Sequence, residues 1–353
     1  MMTTISDNKL KYLIDRALSV NLPFAIFRYP NEDRVHIVAQ RSPEVAAFRS
    51  LAEVKNRGFV VAPFRPSAQN PTIIINNDIN DFDELNELLN NNELHETLKY
   101  FQHKICDADK AQYQAIFAEV KRHIISNEVS KVVLARSTTK ALQHSVSELF
   151  INLLNTCSDR MVCLVNTHVT GVWMCATPEL LLRGTNGRYA TMALAGTRPS
   201  LADTPWDDKN LAEHEWVCHH FDDKLRQFAD VERHARTTFD LGTLQHLRTD
   251  YSFIAPATYA PKQIAAMLHP TPAVCGWPTE KAMEIIDKQE VTSRLYYSGI
   301  IGQLDEDACN LYVNLRCAHV HDGEITTFAG GGIMPDSEVE TEWHETEMKM
   351  LFS

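Results

Sequence analysis

The sequence predicts an α+β fold, with a large, mostly antiparallel β-sheet core and helices packed outside it. Three observations point there. Residues 161–165 and 172–175 are apolar runs joined through Thr170-Gly171, the pattern of a hairpin. Residues 295–303, 311–320 and 324–328 follow one another with turns at Asp305-Glu306-Asp307 and Asp322-Gly323, which reads as a three-strand meander. Helical periodicity lies apart from these strands, whereas a doubly wound parallel sheet would alternate the two.

Along the chain, Phe24-Ala25-Ile26-Phe27 and Arg34-Val35-His36-Ile37-Val38 are short strand patterns, and the Asn- and Asp-rich stretch 76–92 reads as loop and short helix. Residues 111–127 read as a helix, followed by the strand Lys131-Val132-Val133-Leu134-Ala135-Arg136. Residues 189–194 form another strand, ending in a turn at Ala195-Gly196-Thr197. Residues 207–236 read as one long helix with Val217, Phe221, Leu225, Phe228 and Val231 on its apolar side. No repeat or Pro/Gly linker divides the 353 residues, so 1–353 is expected to fold as a single domain.

Composition narrows the function. The chain is 44% hydrophobic and 23% charged, an ordinary globular balance, and no apolar run nears the ~20 residues of a bilayer span. Met1-Met2-Thr3-Thr4-Ile5-Ser6-Asp7 lacks the charged and apolar regions of a secretory signal, which predicts a cytoplasmic protein. Eight scattered cysteines without a C-x-x-C pair read as buried free thiols, and the same scatter argues against zinc. A net charge of −12 with no basic stripe argues against nucleic acid or anionic membrane as partner. An anionic substrate would need cations gathered locally.

The end of the chain offers such a place. Phe328-Ala329-Gly330-Gly331-Gly332-Ile333 is a strand running into three glycines, whose bare N–H groups can cradle an anionic oxygen. In the helix that follows, Glu342, Glu345 and Lys349 fall within roughly 60° of one another around the axis. Two carboxylates on one face suit a hard divalent cation such as magnesium, and the lysine suits a substrate carboxylate. A glycine turn followed by a solvated acidic helix explains the same residues.

Other candidates are weaker alone. In 311–320, alternation puts Leu311, Val313, Leu315 and Cys317 on an apolar face and Tyr312, Asn314 and Arg316 on a polar one. Arg316 could meet a carboxylate bidentately or serve a structural ion pair. Glu213 borders the apolar stripe of its helix and needs a cation or donor, while His214 and Glu215 turn further away, as surface groups or as supports behind the site. Lys131 opens an apolar strand, as a snorkelling lysine would, and Glu179 follows Thr177-Pro178 at a turn.

Taken in order, these segments resemble the catalytic part of the chorismate-utilising enzymes. That family includes isochorismate synthases, salicylate synthases and the large subunits of anthranilate and aminodeoxychorismate synthases. The matching stretches are Lys131-Val132-Val133-Leu134-Ala135-Arg136, Thr177-Pro178-Glu179-Leu180, Leu194-Ala195-Gly196-Thr197-Arg198 and Glu213-His214-Glu215. Leu244-Gln245-His246-Leu247, Leu268-His269-Pro270-Thr271-Pro272-Ala273-Val274-Cys275-Gly276 and Leu295-Tyr296-Tyr297-Ser298-Gly299 come next, then Leu315-Arg316-Cys317-Ala318 and the C-terminal segments. They span 131 to 349, within a catalytic part at 106–353; residues 1–105 are divergent and match too loosely to carry a role.

The resemblance implies a substrate, chorismate, which carries a ring carboxylate and an enolpyruvyl carboxylate. It implies Mg2+ on the ring carboxylate, held by Glu213 and Glu345 with Glu342 assisting. Arg316 and the backbone around Gly330 and Gly332 would hold the other carboxylate, with Tyr297 nearby. Lys349 and the Gly196-Thr197 turn would complete the contacts, and His246 and Ala273 belong to the same substrate-binding set. Lys131 would be the general base that activates water for attack at ring carbon 2, and Glu179 the acid that protonates the hydroxyl leaving carbon 4. Asn210 stands one turn before Glu213 where relatives often carry an acid, a departure expected to weaken metal affinity.

Within the family, Lys131 favours water over ammonia as nucleophile, so no glutaminase subunit is expected. Ala273 stands where members that eliminate pyruvate tend to have threonine. The resemblance therefore implies an isochorismate synthase serving menaquinone or siderophore synthesis. A salicylate synthase is the alternative, then an anthranilate or aminodeoxychorismate synthase component. A non-catalytic binder of anionic metabolites would not need Lys131 and Glu179.

Overall fold

A computed structural model describes residues 5–91, 98–101, 105–202 and 204–352. The first four residues of the N-terminal reading and residue 92 of the Asn-rich stretch lie outside these. The chain runs through α1 (Asp7–Ser19), β1 (Phe24–Arg28), β2 (His36–Ala39), β3 (Ala46–Phe48), β4 (Gly58–Ala62), β5 (Thr72–Asn76) and α2 (Phe82–Asn90). It continues with α3 (Lys110–Ile125), β6 (Lys131–Ala141), α4 (Val146–Thr156), β7 (Met161–Thr167), β8 (Gly171–Thr177), β9 (Leu180–Thr185) and β10 (Arg188–Pro199). After α5 (Asp208–Leu225) come β11 (Ala229–Arg233), β12 (Thr237–Asp240), β13 (Leu244–Ile254), α6 (Pro261–Leu268), β14 (Gly276–Trp277) and α7 (Thr279–Gln289). Strands β15 (Ile300–Leu304), β16 (Ala308–Val313), β17 (Cys317–His321) and β18 (Glu324–Ile333) precede α8 (Val339–Lys349).

Local chemistry starts the helices. Asp109 and Ser145 close capping boxes with Gln112 and Glu148, and the Asp207 carboxylate accepts from the Asn210 N–H at the head of α5. The strands form two antiparallel sheets, ordered β14-β6-β18-β17-β8-β7-β1-β2 and β11-β13-β10-β9-β16-β15-β4-β5-β3, with β12 also on β13. Both sheets take strands from the first 105 residues. Their facing surfaces meet in one core, where Phe27, Trp173 and Phe328 of the first sheet pack with Phe59, Leu180 and Tyr312 of the second. Helices α1, α2 and α4 cover the outer face of the first sheet, and a third cluster ties α3, α5, α6 and α7 to both sheets. The α+β expectation holds. No helix among the described residues is long and apolar enough to cross a membrane. All eight cysteines are free, six of them buried.

Four local expectations need correction. The helix expected over 207–236 stops at Leu225, and β11 pairs with β13 instead (Glu232 opposite Ser252), leaving Val231 39% exposed. An open sheet edge outcompetes continued helical spacing there. Residues 295–299 are turns, not strand, with Leu295 and Ser298 at φ 48° and 61°. Gly196-Thr197 is a bulge within β10, where the register to β13 shifts between Ala195 and Arg198, rather than its end. The long strand expected over 311–320 is two strands in different sheets, so the expected meander is split. Arg316 lies at the break, at φ 47°.

That break is one of two crossovers running side by side. Pro178-Glu179 carries the chain from β8 in the first sheet to β9 in the second, and residues 314–316 carry it back from β16 to β17. Register links the partners on both sides, with Cys317 opposite Cys175 and Tyr312 opposite Leu180. Val313 N–H donates to Glu179 O at 3.0 Å, and Ala176 N–H donates to Arg316 O at 3.0 Å.

Candidate active site

At these crossovers the sheets part around a cavity of about 650 Å³, its mouth included. That volume suits a small organic ligand. Of the fourteen residues singled out from the sequence, eleven line it: Glu179, Gly196, Thr197, Glu213, His246, Ala273, Tyr297, Arg316, Gly330, Gly332 and Lys349. Lys131, Glu342 and Glu345 stand behind this lining.

The glycines work by absence. A Cβ on Gly332 would stand 2.3 Å from Glu213 Oε1 and 2.8 Å from Lys131 Cε, and one on Gly330 would stand 2.8 Å from the Tyr297 hydroxyl. These segments are not a turn. All three glycines lie in β18, in register with Val133, Leu134 and Ala135 of β6. On its other edge β17 reaches only to Phe328, which leaves β18 without a strand partner beyond it at the cavity. There Lys349 Nζ donates to Gly330 O at 3.3 Å.

Glu179 is 3% exposed, and Thr271 Oγ1 donates to its Oε1 at 3.3 Å. Burial pushes its carboxyl up to about 8, so it is protonated at neutral pH and carries a proton to give. Arg316 is held below the ordinary guanidinium range, at about 10, by burial and by nearby Arg160. Its Nη2 donates to His246 Nε2 at 3.3 Å, so that nitrogen holds a lone pair and the ring proton sits on Nδ1, which faces Gly196 O at 2.9 Å. Burial and the Arg316 charge push His246 down to about 3, consistent with that neutral form.

Three carboxylates each carry a lysine. Lys131, with no exposed side-chain surface, lies 2.9 Å from Glu213; Lys209 donates to Glu342 and Lys349 to Glu345, both at 2.5 Å. Burial works to raise Glu213, but Lys131, Lys349 and Lys209 outweigh it and hold the carboxyl below its usual range. Glu342 is raised, by burial and then by the Glu345 charge, despite Lys209 and a hydrogen bond from Ser337. Among the described residues, the three-member group with ligating atoms within 4.8 Å of one another is Glu215, His219 and Asp222, where Arg233 bridges Glu215 and Asp222. Glu213, Glu342 and Glu345 do not meet that spacing, and each is paired with a lysine.

The residues still fit a hard divalent cation. The donors are oxygens only, and Glu342 Oε2 is buried without a hydrogen-bond partner. The three lysines balance the three glutamates, leaving Arg316 against a dianionic ligand one charge short.

Sequence reasoning missed several supporting groups. Lys209 lies four residues before Glu213, the helical spacing that would have placed both on one face. Asn210 is taken up by neighbouring protein groups. Its Oδ1 accepts from Thr197 N–H at 2.8 Å while its Nδ2 donates to both oxygens of Asp207, fixing the β10 bulge. His214 is fully buried against Thr249 Oγ1 at 2.9 Å, not at the surface. Nothing local marks the contacts of Asn210 with Thr197 or of His214 with Thr249.

Residues 49–352 match the model of the family described as chorismate binding enzyme. Isochorismate synthase EntC of Escherichia coli (strain K12) is 30% identical over 264 residues, covering 69% of this chain and 66% of that protein. Isochorismate synthase MenF of Haemophilus influenzae is 28% identical over 321 residues, 85% of this chain and 72% of the relative. The structure of MenF, the menaquinone-specific isochorismate synthase from Escherichia coli, superposes with a TM-score of 0.76 at 20% identity, over 96% of this chain and 89% of that one. Anthranilate synthase component I from Streptococcus pneumoniae superposes at 0.66 and 15% identity, over 92% and 88%. These two likenesses show a shared fold. By its match across 49–352 and its two-sheet architecture, the chain belongs to the chorismate binding enzyme family.

Proposed function

We propose that this protein is an isochorismate synthase, converting chorismate to isochorismate in the cytoplasm with Mg2+ as cofactor. Water adds at ring carbon 2 and the carbon 4 hydroxyl departs as water, so the net reaction is an isomerisation. The observation that carries the reading is Glu179, a buried carboxylic acid protonated near neutrality, on the wall of a cavity that also presents Arg316. Glu179 delivers the proton the leaving hydroxyl needs. Lys131 is the base for the attacking water; only the free amine has a lone pair to take that proton, so this role requires the contact with Glu213 to open and the lysine to give up its own proton first. Arg316 and the edge of β18 beyond Phe328 bind the enolpyruvyl carboxylate, with Tyr297, Lys349, His246 and the Gly196-Thr197 bulge shaping the rest of the site.

Glu213, Glu342 and Glu345 would hold the magnesium ion. When bound, it supplies positive charge to the ring carboxylate. Chorismate is the sole partner in this reading, without a glutaminase subunit, nucleic acid or membrane. The product would feed menaquinone or siderophore synthesis, as the names of the relatives suggest. Incubating the purified protein with chorismate and Mg2+, then identifying products chromatographically, tests the reading. Isochorismate in equilibrium with chorismate is expected. Salicylate and pyruvate would point to the salicylate synthase alternative, and unchanged chorismate would refute an enzymatic role in this chemistry.

A further inference from the structure

Strand β14 is two residues long and covers the outer edge of β6 only at Lys131 and Val132. Val133 N–H finds Cys275 O at 2.7 Å, and there the backbone cover ends. The next groups on this edge, Val133 C=O and Ala135 N–H, are met by side chains. Arg294 Nη2 donates to Val133 O at 2.8 Å, and Glu290 Oε1 accepts from Ala135 N–H at 2.8 Å. Arg294 Nη1 donates to Val274 O at 2.7 Å, and its Nε and Nη2 donate to the Glu290 carboxylate at 2.7 and 2.5 Å. Both side chains are at most 5% exposed, and the guanidinium lies 4.1 Å from the Phe64 ring centre.

We infer that Glu290 and Arg294 are positioning residues that replace a missing strand along β6 and thereby set the width of the cavity. Val133 and Val274, whose carbonyls the guanidinium spans, both line the cavity, and Ala273 adjoins Val274. On its other edge β6 holds Gly332 opposite Val133 and Gly330 opposite Ala135. One planar fork therefore fixes the glycine wall against the Ala273–Val274 wall. A buried ion pair is a poor source of stability compared with apolar packing. Its geometry is what apolar packing cannot supply: two donors held at a fixed spacing for two carbonyls.

The rate prediction rests on the isochorismate synthase reading; the backbone prediction does not. Arg294→Lys keeps the charge but not the fork, and Glu290→Leu with Arg294→Met removes both. Turnover of chorismate should fall about 10- to 100-fold in the double variant, measured well below its unfolding temperature, because misplacement on the ångström scale carries that cost. Arg294→Lys should fall between it and wild type. In both variants the amides of Val133 and Ala135 should exchange with deuterium at least about tenfold faster, while those of β7 and β8 do not. If the double variant does not fold, Arg294→Lys carries both measurements. A folded variant with turnover within about twofold of wild type overturns the inference, as does a loss that vanishes on cooling. If wild type does not turn over chorismate, the proposed function fails by itself; unchanged exchange at Val133 and Ala135 would then overturn the positioning role, and accelerated exchange would uphold it.

Discussion

Lys131 Nζ and Glu213 Oε1 lie 2.9 Å apart, with the lysine side chain wholly enclosed and the glutamate side chain 14% exposed. The unequal exposure makes the two partners unequal to mutation.

Glu213→Ala leaves a buried ammonium without its carboxylate partner, and should cost about 3–5 kcal/mol of stability. Lys131→Ala leaves a carboxylate that still has Lys349 and Lys209 nearby, and should cost less. Calorimetric unfolding of the two variants checks the order. Lys131→Ala should also lower turnover by roughly two to four orders of magnitude. A folded variant with near-normal turnover would remove this lysine as the base.

Glu179→Gln should reduce turnover by a comparable two to four orders, roughly, since the amide fills the same space without an acidic proton. Wild-type turnover should decline as pH rises through about 8, where Glu179 loses its proton. The linkage has the same sign. Its carboxyl is raised from 4.5, so protonation favours the folded state, and this contribution is full below about 4.5 and lost by about 8. An alkaline limb that stays in place in Glu179→Gln would assign the titration elsewhere.

Four histidines, three of them buried and His269 half-buried, govern the acid side. His214, His220 and His269 are pushed down to about 4 and His246 to about 3, each chiefly by burial, from 6.5. The unfolded chain takes up their protons first, so the stability they confer is present above 6.5 and lost as pH falls toward 4. Urea midpoints measured from pH 7 to 4 should fall continuously. His214→Asn should flatten part of that slope.

Chelation should abolish turnover, and magnesium should restore it. The motive is the oxygen-only donor set and the unpartnered Glu342 Oε2. Full turnover in excess chelator, with bound metal shown to be nil, would refute the requirement.

Ala273→Thr should raise pyruvate release relative to isochorismate. Elimination needs the ring hydrogen to reach the enolpyruvyl group, so a small change in substrate orientation matters, and Ala273 lies on the cavity wall. Threonine adds a hydroxyl and a methyl at that wall. An unchanged product ratio in an active variant would remove this position as the determinant.

By itself the sequence determined the α+β class, through a hairpin and helices kept apart, and it contained the family's ordered motifs. It also supplied eleven residues that line one cavity: Gly330, Gly332, Arg316, Glu213 and Lys349 stand out locally, whereas Glu179, Gly196, Thr197, His246, Ala273 and Tyr297 came with the family's motifs. Only the tertiary structure decided how they meet. Alternation through 311–317 reads as one strand, yet Arg316 lies where the chain leaves one sheet for the other. Spacing counts residues along a backbone and cannot register a change of sheet. Likewise Glu342 and Glu345 share a helix face, but which cation each carboxylate takes depends on Lys209 and Lys349. His214 looked peripheral because burial is set by what packs on a helix. Charge pairing and burial are sums over neighbours distant in the chain, and those neighbours exist only once the two sheets have closed on each other.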